Sequence, residues 1–173
     1  MFIYYNERAL EGTVKSDSGA EIRDGIKTLA RYGVCDEKLW PYKTKMFTRK
    51  PPAKCYTDAA KRKILSYYKI ASLDGMRQCL GLKGLPFVFG FVVFESFETI
   101  GSDGMMPMPN VETEECLGGH AVCAVGYDDE RRLIKVRNSW GCGFGNNGHF
   151  FMPYEFIADK RMASDFWLIS KEM

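Results

Sequence analysis

The sequence has 173 residues, of which 46% are hydrophobic and 27% are charged, and this composition is typical of a globular chain with a buried core. Lys and Arg number 24 against 22 Asp and Glu, so the net charge is only +2. Binding to nucleic acid or to a membrane surface needs a concentrated basic face, and we therefore expect neither partner.

The first residues, Met1–Tyr5, contain no basic region and no small-residue cleavage site, so they do not resemble a secretory signal. The longest apolar stretch, 85–94, has about half the length that a membrane-spanning helix needs. The sequence thus predicts neither a leader nor a transmembrane segment in these residues, and it leaves the cellular compartment open.

The first predicted helix begins at Ser18, which has capping-box spacing to Glu21. Apolar residues then recur on one helical face: Ile22, Ile26, Leu29 and Ala30. Gly33 supplies a stop just after the helix. A loop or linker rich in Pro and Lys is predicted at 40–52, and a second short helix is predicted at 74–82.

The second half of the sequence is rich in aromatic and β-branched residues, which favour strands. Strands are predicted at 85–94, 120–127, 133–137, 148–151 and 165–169. A polar turn joins the second and third of these strands into a hairpin. Helices followed by several antiparallel strands predict the α+β class, with a small β-barrel in the second half.

His120 opens the first arm of this hairpin, and Asn138 follows the second arm. Because the arms run antiparallel, these residues can lie side by side although they are distant in sequence. An amide oxygen that accepts from one ring nitrogen leaves the other nitrogen free as a base. Trp140 is placed to shield this hydrogen bond from water. An isolated strand histidine is more often a core or surface residue, so the pair alone does not establish catalysis.

A longer pattern surrounds this pair. Gly119-His120-Ala121-Val122 is followed by Asn138-Ser139-Trp140-Gly141 and by a Gly-rich stretch that ends at Gly148. The whole pattern resembles the papain-like cysteine peptidase family, and weaker similarity at 18–20 and 40–42 extends the resemblance over most of the chain. The resemblance implies a two-lobe α+β fold. Residues 1–65 would form the remainder of an incomplete helical left lobe, and residues 66–173 a right-lobe antiparallel β-barrel.

By the same resemblance, His120 is the general base that pairs with a cysteine thiolate, Asn138 orients its ring, and Trp140 covers the pair. The turn Ser18-Gly19-Ala20 offers backbone hydrogen bonds to an extended peptide. The family often has a second glycine where this sequence has Ala20. The implied reaction is peptide-bond hydrolysis on a peptide or protein substrate, and no metal or organic cofactor is implied.

The nucleophilic Cys of this family begins a helix near the mature N-terminus, about 130–150 residues before the His. His120 comes too early for that spacing, so we expect the nucleophile to precede Met1, and we expect this chain alone to be inactive. Three alternatives stay open. The chain is a piece of an active peptidase, a partner of a separate polypeptide that supplies the Cys, or a non-catalytic remnant that binds peptides or proteins. We expect the groove left by the missing helix to bind such a polypeptide or a second copy of the chain.

We interpret the six cysteines mostly as free thiols: Cys35, Cys55, Cys79, Cys116, Cys123 and Cys142. A structural zinc module is a further alternative, because Cys116, His120 and Cys123 are soft ligands close in sequence, with Cys142 and His149 further on. Their spacing does not match the usual Cys-x2-Cys pairs, and His120 and Cys123 alternate faces along a strand. The sequence therefore favours the peptidase.

Overall fold

The computed structural model describes residues 1–170, and the chain divides into two compact units. Residues 1–67 form the first unit together with residues 169 and 170, and residues 68–168 form the second. No helix within residues 1–170 combines the length and the apolar character that a membrane span needs.

The first unit is helical. Helix α1 spans Phe2–Glu11, α2 spans Ile22–Arg31 and α3 spans Ala53–Ala59, and two 3-10 turns lie at Glu37–Leu39 and Thr44–Met46. Helices α1 and α2 contact each other. The small core of this unit consists of four buried residues: Phe2, Cys35, Cys55 and Ala59.

Neither α1 nor α3 was predicted from the sequence. Helix α1 buries Asn6 and Arg8 as well as Phe2. Because two of these inward residues are polar, the sequence lacks the regular apolar spacing that predicts a helix. Helix α3 begins directly after Pro52, which is its N-cap. The prolines that indicated a linker therefore directly precede a helix, where the absence of a proline N–H costs no helical hydrogen bond.

The predicted start of α2 is wrong by several residues. The helix begins at Ile22 with Glu21 as its N-cap, and no side chain caps it. The backbone N–H of Glu21 instead donates to the carboxylate of Glu11 at 2.9 Å, so a neighbouring helix replaces the Ser18 capping box. The end of α2 is confirmed, because Gly33 follows it with φ +79.

Most of the predicted strands are confirmed, with shifted ends. The strands found within residues 1–170 are β1 Ser66–Lys69, β2 Phe87–Phe94, β3 Cys116–Asp128, β4 Leu133–Arg137, β5 His149–Pro153 and β6 Ala163–Ser170. The predicted second helix is α4 at Leu73–Gly81, and a short helix, α5, spans Tyr154–Ala158. Strand β1 and helix α5 were not predicted, because each is too short to show a clear period.

The β-barrel prediction is wrong, although the α+β class is confirmed. The strands form one sheet in the order β1-β6-β2-β3-β4-β5, with β1 and β5 at its edges in the described part of the chain. The alternation of apolar and polar residues predicts which side chains of a strand are buried. It does not predict whether the edge strands pair with each other and close the sheet into a barrel.

Strand β2 is the centre of the second unit's core. Its alternating residues Phe87, Phe89, Phe91 and Val93 are all buried, whereas the residues between them are partly exposed. On the β3 side, Phe91 pairs with His120 in the antiparallel register. The buried face of β2 therefore lies next to this histidine through Phe91.

Candidate active site

The β3–β4 hairpin brings His120 and Asn138 together. Cys123 pairs with Arg137, and the same register extended by one residue sets Asn138 opposite Val122. Val122 and His120 share one face of β3, because side chains alternate along a strand. His120 Nε2 lies 2.8 Å from Asn138 Oδ1. The pairing of β3 with β4 thus brings His120 and Asn138 into hydrogen-bonding distance although they are 18 residues apart in the sequence.

The amide of Asn138 decides which ring nitrogen of His120 carries the proton. The backbone N–H of Ser139 donates to Asn138 Oδ1 at 2.8 Å, so this atom is the carbonyl oxygen and can only accept. In the neutral ring, Nε2 therefore carries the hydrogen and Nδ1 carries the lone pair. Within residues 1–170, Nδ1 has no hydrogen-bond partner. It is the free basic atom of the pair.

Asn138 is buried, and its environment holds its side chain in one orientation. Its backbone N–H donates to the carbonyl of Gly148 at 2.9 Å, which ties it to the loop before β5. Its Oδ1 accepts two hydrogen bonds, whereas Nδ2 is buried without a partner in the described chain. Burial lowers the local dielectric, which strengthens the hydrogen bond to His120.

An aromatic cluster encloses the His120 ring. Trp140 stacks on it with a centroid distance of 5.0 Å and an interplanar angle of 30°. Phe97 and Phe144 contact the Trp140 ring edge-on at 5.5 Å and 5.1 Å, and Phe91 lies 5.7 Å from His120. Phe91 follows from the register between β2 and β3, but sequence reasoning missed Phe97, whose 3-10 segment has no periodic pattern.

Comparison with known proteins agrees with this arrangement. Residues 13–165 match the family described as papain family cysteine protease. The chain belongs to this papain family. An uncharacterized peptidase C1-like protein of Acanthamoeba polyphaga mimivirus is 46% identical over 182 residues, covering 99% of this chain and 58% of that protein. This chain thus spans little more than half the length of the viral relative.

A solved structure supports the same family assignment, and a more distant one supports the fold. Xylellain, a cysteine protease from Xylella fastidiosa, superimposes with a TM-score of 0.91 at 44% identity, covering 99% of this chain and 69% of that one. A digestive procathepsin L 3 of Tenebrio molitor larval midgut superimposes with a TM-score of 0.69 at 16% identity, over 97% of this chain and 54% of that one. The latter likeness supports the papain-like fold alone.

The predicted peptide-binding turn, Ser18-Gly19-Ala20, lies in the first unit, in the exposed segment between α1 and α2. Gly19 has φ +76, and a Cβ added to it would meet no atom within 4 Å. The preceding residue, Asp17, accepts a hydrogen bond from the hydroxyl of Tyr4 on α1. The turn therefore has open space around it, while the chain leading into it is fixed.

Arg8 is the residue that fixes this segment, and sequence reasoning missed it. Its side chain is fully buried, and it donates to the carbonyl oxygens of Val14 at 3.0 Å, Ser16 at 2.9 Å and Phe47. The guanidinium also lies over the Tyr4 ring, 4.0 Å from its centroid. A buried cation is stable only when its donors are satisfied, so these carbonyl groups and Arg8 depend on one another.

All six cysteines are free thiols in this structure, and three of them are buried: Cys35, Cys55 and Cys79. Cys55 lies in the first turn of α3. Helix N-termini favour thiolates, yet the Cys55 side chain is wholly enclosed, so a substrate could not reach it. None of the three is suited to attack a peptide.

The remaining three cysteines belong to the second unit. Cys123 faces away from His120, because three residues separate them on β3, and burial raises the pKa of its thiol although Arg137 lowers it. Cys116 and Cys142 are exposed, at the start of β3 and in the loop after Trp140. Neither lies in a helix, so no helix dipole supports a thiolate there.

The described residues do not form the zinc site that was considered as an alternative. Residues 1–170 contain no group of three or more His, Cys, Asp or Glu side chains that could hold a metal ion. Cys116 and Cys123 pair with Phe94 and Val88 on β2, at well-separated positions along the strand. The soft ligands that are close in sequence are therefore spread along β3.

Proposed function

We propose that this chain is part of a cysteine peptidase that hydrolyses peptide bonds, with His120 as its general base and acid. The hydrogen bond between His120 Nε2 and Asn138 Oδ1 carries the proposal, because it leaves Nδ1 unprotonated and available to a thiol. A base whose second nitrogen is oriented by a third group is the arrangement that activates a nucleophile in such enzymes.

In the proposed reaction, Nδ1 of His120 takes the proton of a cysteine thiol, and the thiolate attacks the carbonyl carbon of the scissile bond. The resulting imidazolium then donates that proton to the leaving amine nitrogen, and an acyl-enzyme thioester forms. A water molecule loses a proton to Nδ1 and attacks the thioester. The carboxylic product leaves, and the thiol is restored.

Asn138 and Trp140 act on this base without touching the scissile bond. Asn138 Oδ1 keeps accepting from Nε2 in both protonation states of the ring, so the proton transfers always involve Nδ1. The Trp140 ring covers one face of the imidazole and limits access of water to the hydrogen bond. Both residues therefore position His120.

The nucleophile in this proposal comes from polypeptide outside these 173 residues. Each of the six cysteines present is enclosed, faces away from His120, or lies outside any helix. The matched relatives are considerably longer than this chain, which leaves room in them for a helix that carries a Cys. The partner is a contiguous segment or a separate chain, and the 173 residues alone are inactive.

We also propose that the substrate is an extended peptide that hydrogen bonds to the backbone at Ser18-Gly19-Ala20. The open space around Gly19 and the exposure of this turn support the assignment. Arg8 supports it indirectly, since it holds the carbonyl group of Ser16 just before the turn. The methyl group of Ala20 would narrow the site relative to glycine.

The test compares the 173-residue chain with a fusion in which a helical segment that carries a Cys precedes Met1. We expect no hydrolysis of a peptide amide by the chain alone. We expect the fusion to hydrolyse it, with a loss of about 10³-fold in rate on His120→Ala. Alkylation of the supplied Cys should abolish the reaction.

His149→Gln is the matched control, because His149 is the other histidine of the chain and its ring hydrogen bonds through Nδ1 to the carbonyl of Asn147. It should leave the rate of the fusion within about 2-fold. A folded fusion without His120-dependent hydrolysis would favour the non-catalytic remnant. Hydrolysis by the unfused chain that requires His120 would show that one of its own cysteines is the nucleophile.

A further inference from the structure

The core of the first unit contains two cysteines in the same small cluster of buried residues. Cys35 and Cys55 are 7% and 0% exposed, and both belong to the cluster around Phe2 and Ala59. The thiol of Cys55 is close enough to affect the ionisation of Cys35, and Cys55 Sγ lies 3.7 Å from the carbonyl oxygen of Leu39. Two thiols are thus enclosed together among apolar groups.

Backbone contacts hold Cys35 against the α3 region from both sides. The N–H of Val34 donates to the carbonyl of Arg62 at 3.2 Å, and the N–H of Asp36 donates to the carboxylate of Asp58 at 2.9 Å. The Arg62 guanidinium returns a hydrogen bond to the carbonyl of Val34 at 3.2 Å. The residues on either side of Cys35 are therefore anchored, so its distance to Cys55 is set by the fold.

The close approach extends to Gly33. A Cβ at this position would lie 2.0 Å from the carbonyl oxygen of Ala59, so backbone packs directly on backbone here. Gly33 and Ala59 lie two residues before Cys35 and four residues after Cys55. Such proximity between anchored backbones is what a disulfide requires, because its Cα atoms must lie within about 7 Å.

We propose that Cys35 and Cys55 form a disulfide bond, which would close the loop 36–54 and link the segment after α2 covalently to α3. The oxidant is a small-molecule disulfide such as oxidised glutathione. One thiolate attacks the glutathione disulfide and releases reduced glutathione, and the second thiolate then attacks the mixed disulfide and releases another. Two cysteine thiols are oxidised to one disulfide, and one oxidised glutathione is reduced to two thiols.

The burial of the pair determines when this exchange occurs. Burial and the neighbouring Cys55 together raise the pKa of the Cys35 thiol to about 11, so the folded protein contains little thiolate here. The bond therefore forms during folding, before α3 and the loop enclose the sulfurs. Once formed, it is protected from reduction by the same burial.

This proposal does not rest on the peptidase function, and its test needs no activity. The 173-residue chain is refolded in a mixture of oxidised and reduced glutathione, alkylated, and digested with trypsin without reduction. The expected product is a link between peptides 32–38 and 55–61, which is two hydrogens lighter than the sum of the separate peptides. The oxidised protein should melt about 6 to 12 °C above its reduced form.

Variants make the measurement specific. Cys35→Ala and Cys55→Ala should each lose the link and the redox-dependent difference in Tm, whereas Cys79→Ala removes a buried cysteine of the second unit and should keep both. A refolded protein in which Cys35 and Cys55 are recovered as alkylated thiols overturns the proposal. Linkage of either residue to the exposed Cys116 or Cys142 overturns it as well.

Discussion

His120 and His149 hydrogen bond through opposite ring nitrogens. Nε2 of His120 lies 2.8 Å from Asn138 Oδ1, whereas Nδ1 of His149 lies 3.1 Å from the backbone carbonyl oxygen of Asn147. Both acceptors are oxygens, so the neutral rings are opposite tautomers. These are the two histidines of the chain, and their ring signals can be separated without ambiguity.

The first prediction concerns these tautomers. Nitrogen NMR of protein labelled in histidine should show an Nε2–H ring for His120 and an Nδ1–H ring for His149. Asn138→Ala removes the acceptor, so the His120 nitrogens should shift toward the averaged values of exchanging tautomers. Asn147→Gly keeps the backbone acceptor of His149 and is the matched control. An Nδ1–H form of His120 in the unaltered protein would contradict the proposed base.

The second prediction separates shielding from stability in the aromatic cluster. Trp140 is half-exposed, so Trp140→Ala should lower the free energy of unfolding by about 1 kcal/mol but speed solvent exchange of the His120 Nε2 proton. Phe97→Ala empties a fully buried site and should cost about 3 to 5 kcal/mol. Urea unfolding and exchange-detected NMR measure the two effects. Unchanged exchange of the His120 Nε2 proton in Trp140→Ala would show that Trp140 does not shield the ring.

The third prediction concerns a carboxyl group between α1 and α2. Burial, with a smaller contribution from the nearby Glu11, raises the pKa of Glu7 from its ordinary 4.5 to about 7, although Arg8 opposes the shift. Between these two pKa values the folded state holds more protons than the unfolded state. The contribution of this group is therefore fully present below about pH 4.5 and is lost as the pH rises through about 7.

Glu7→Gln removes this dependence and should stabilise the protein relative to the native sequence above pH 7. The partial exposure of the group reduces the expected gain to about 1 to 2 kcal/mol. Urea unfolding of both proteins at pH 4.5 and pH 8 measures it. Glu112→Gln, on an exposed loop, should show no such difference between the two pH values. A constant stability difference for Glu7→Gln would refute the buried titration.

The fourth prediction tests Arg8 as the anchor of the segment before the proposed peptide-binding turn. Arg8→Met leaves the carbonyl groups of Val14, Ser16 and Phe47 without their buried donor, which should cost about 3 kcal/mol or more. Hydrogen exchange should accelerate across 13–20. Arg31→Lys, at an exposed position, should change stability by less than about 0.5 kcal/mol. Unchanged exchange in Arg8→Met would rule out the anchor.

The fifth prediction compares two glycines that both have positive φ. Gly33→Ala places a methyl group 2.0 Å from the carbonyl oxygen of Ala59 and should cost about 3 kcal/mol or more. Gly19→Ala meets open space, so only its backbone conformation should cost energy, about 1 to 2 kcal/mol. Thermal unfolding of both variants gives the comparison. Similar losses would mean that α3 does not approach Gly33 closely.

The alternating pattern of β2 and the polar turn between β3 and β4 could be recognised from the sequence, because both depend on neighbouring residues. The placement of Asn138 beside His120 followed from that hairpin, since strand pairing propagates residue by residue. Helix α1 could not be recognised, because its inward face carries Asn6 and Arg8, whose burial depends on partners far along the chain.

By itself, the sequence determined the α+β class, the hairpin and the His120–Asn138 pair, because strand alternation and short turns are properties of adjacent residues. Only the tertiary structure decided that the sheet stays open, that Arg8 is buried against three carbonyl groups, and that Cys35 and Cys55 share one buried cluster. Those features join segments separated by many residues. Their free energy comes from packing and from shared burial, which no local pattern of residue types encodes.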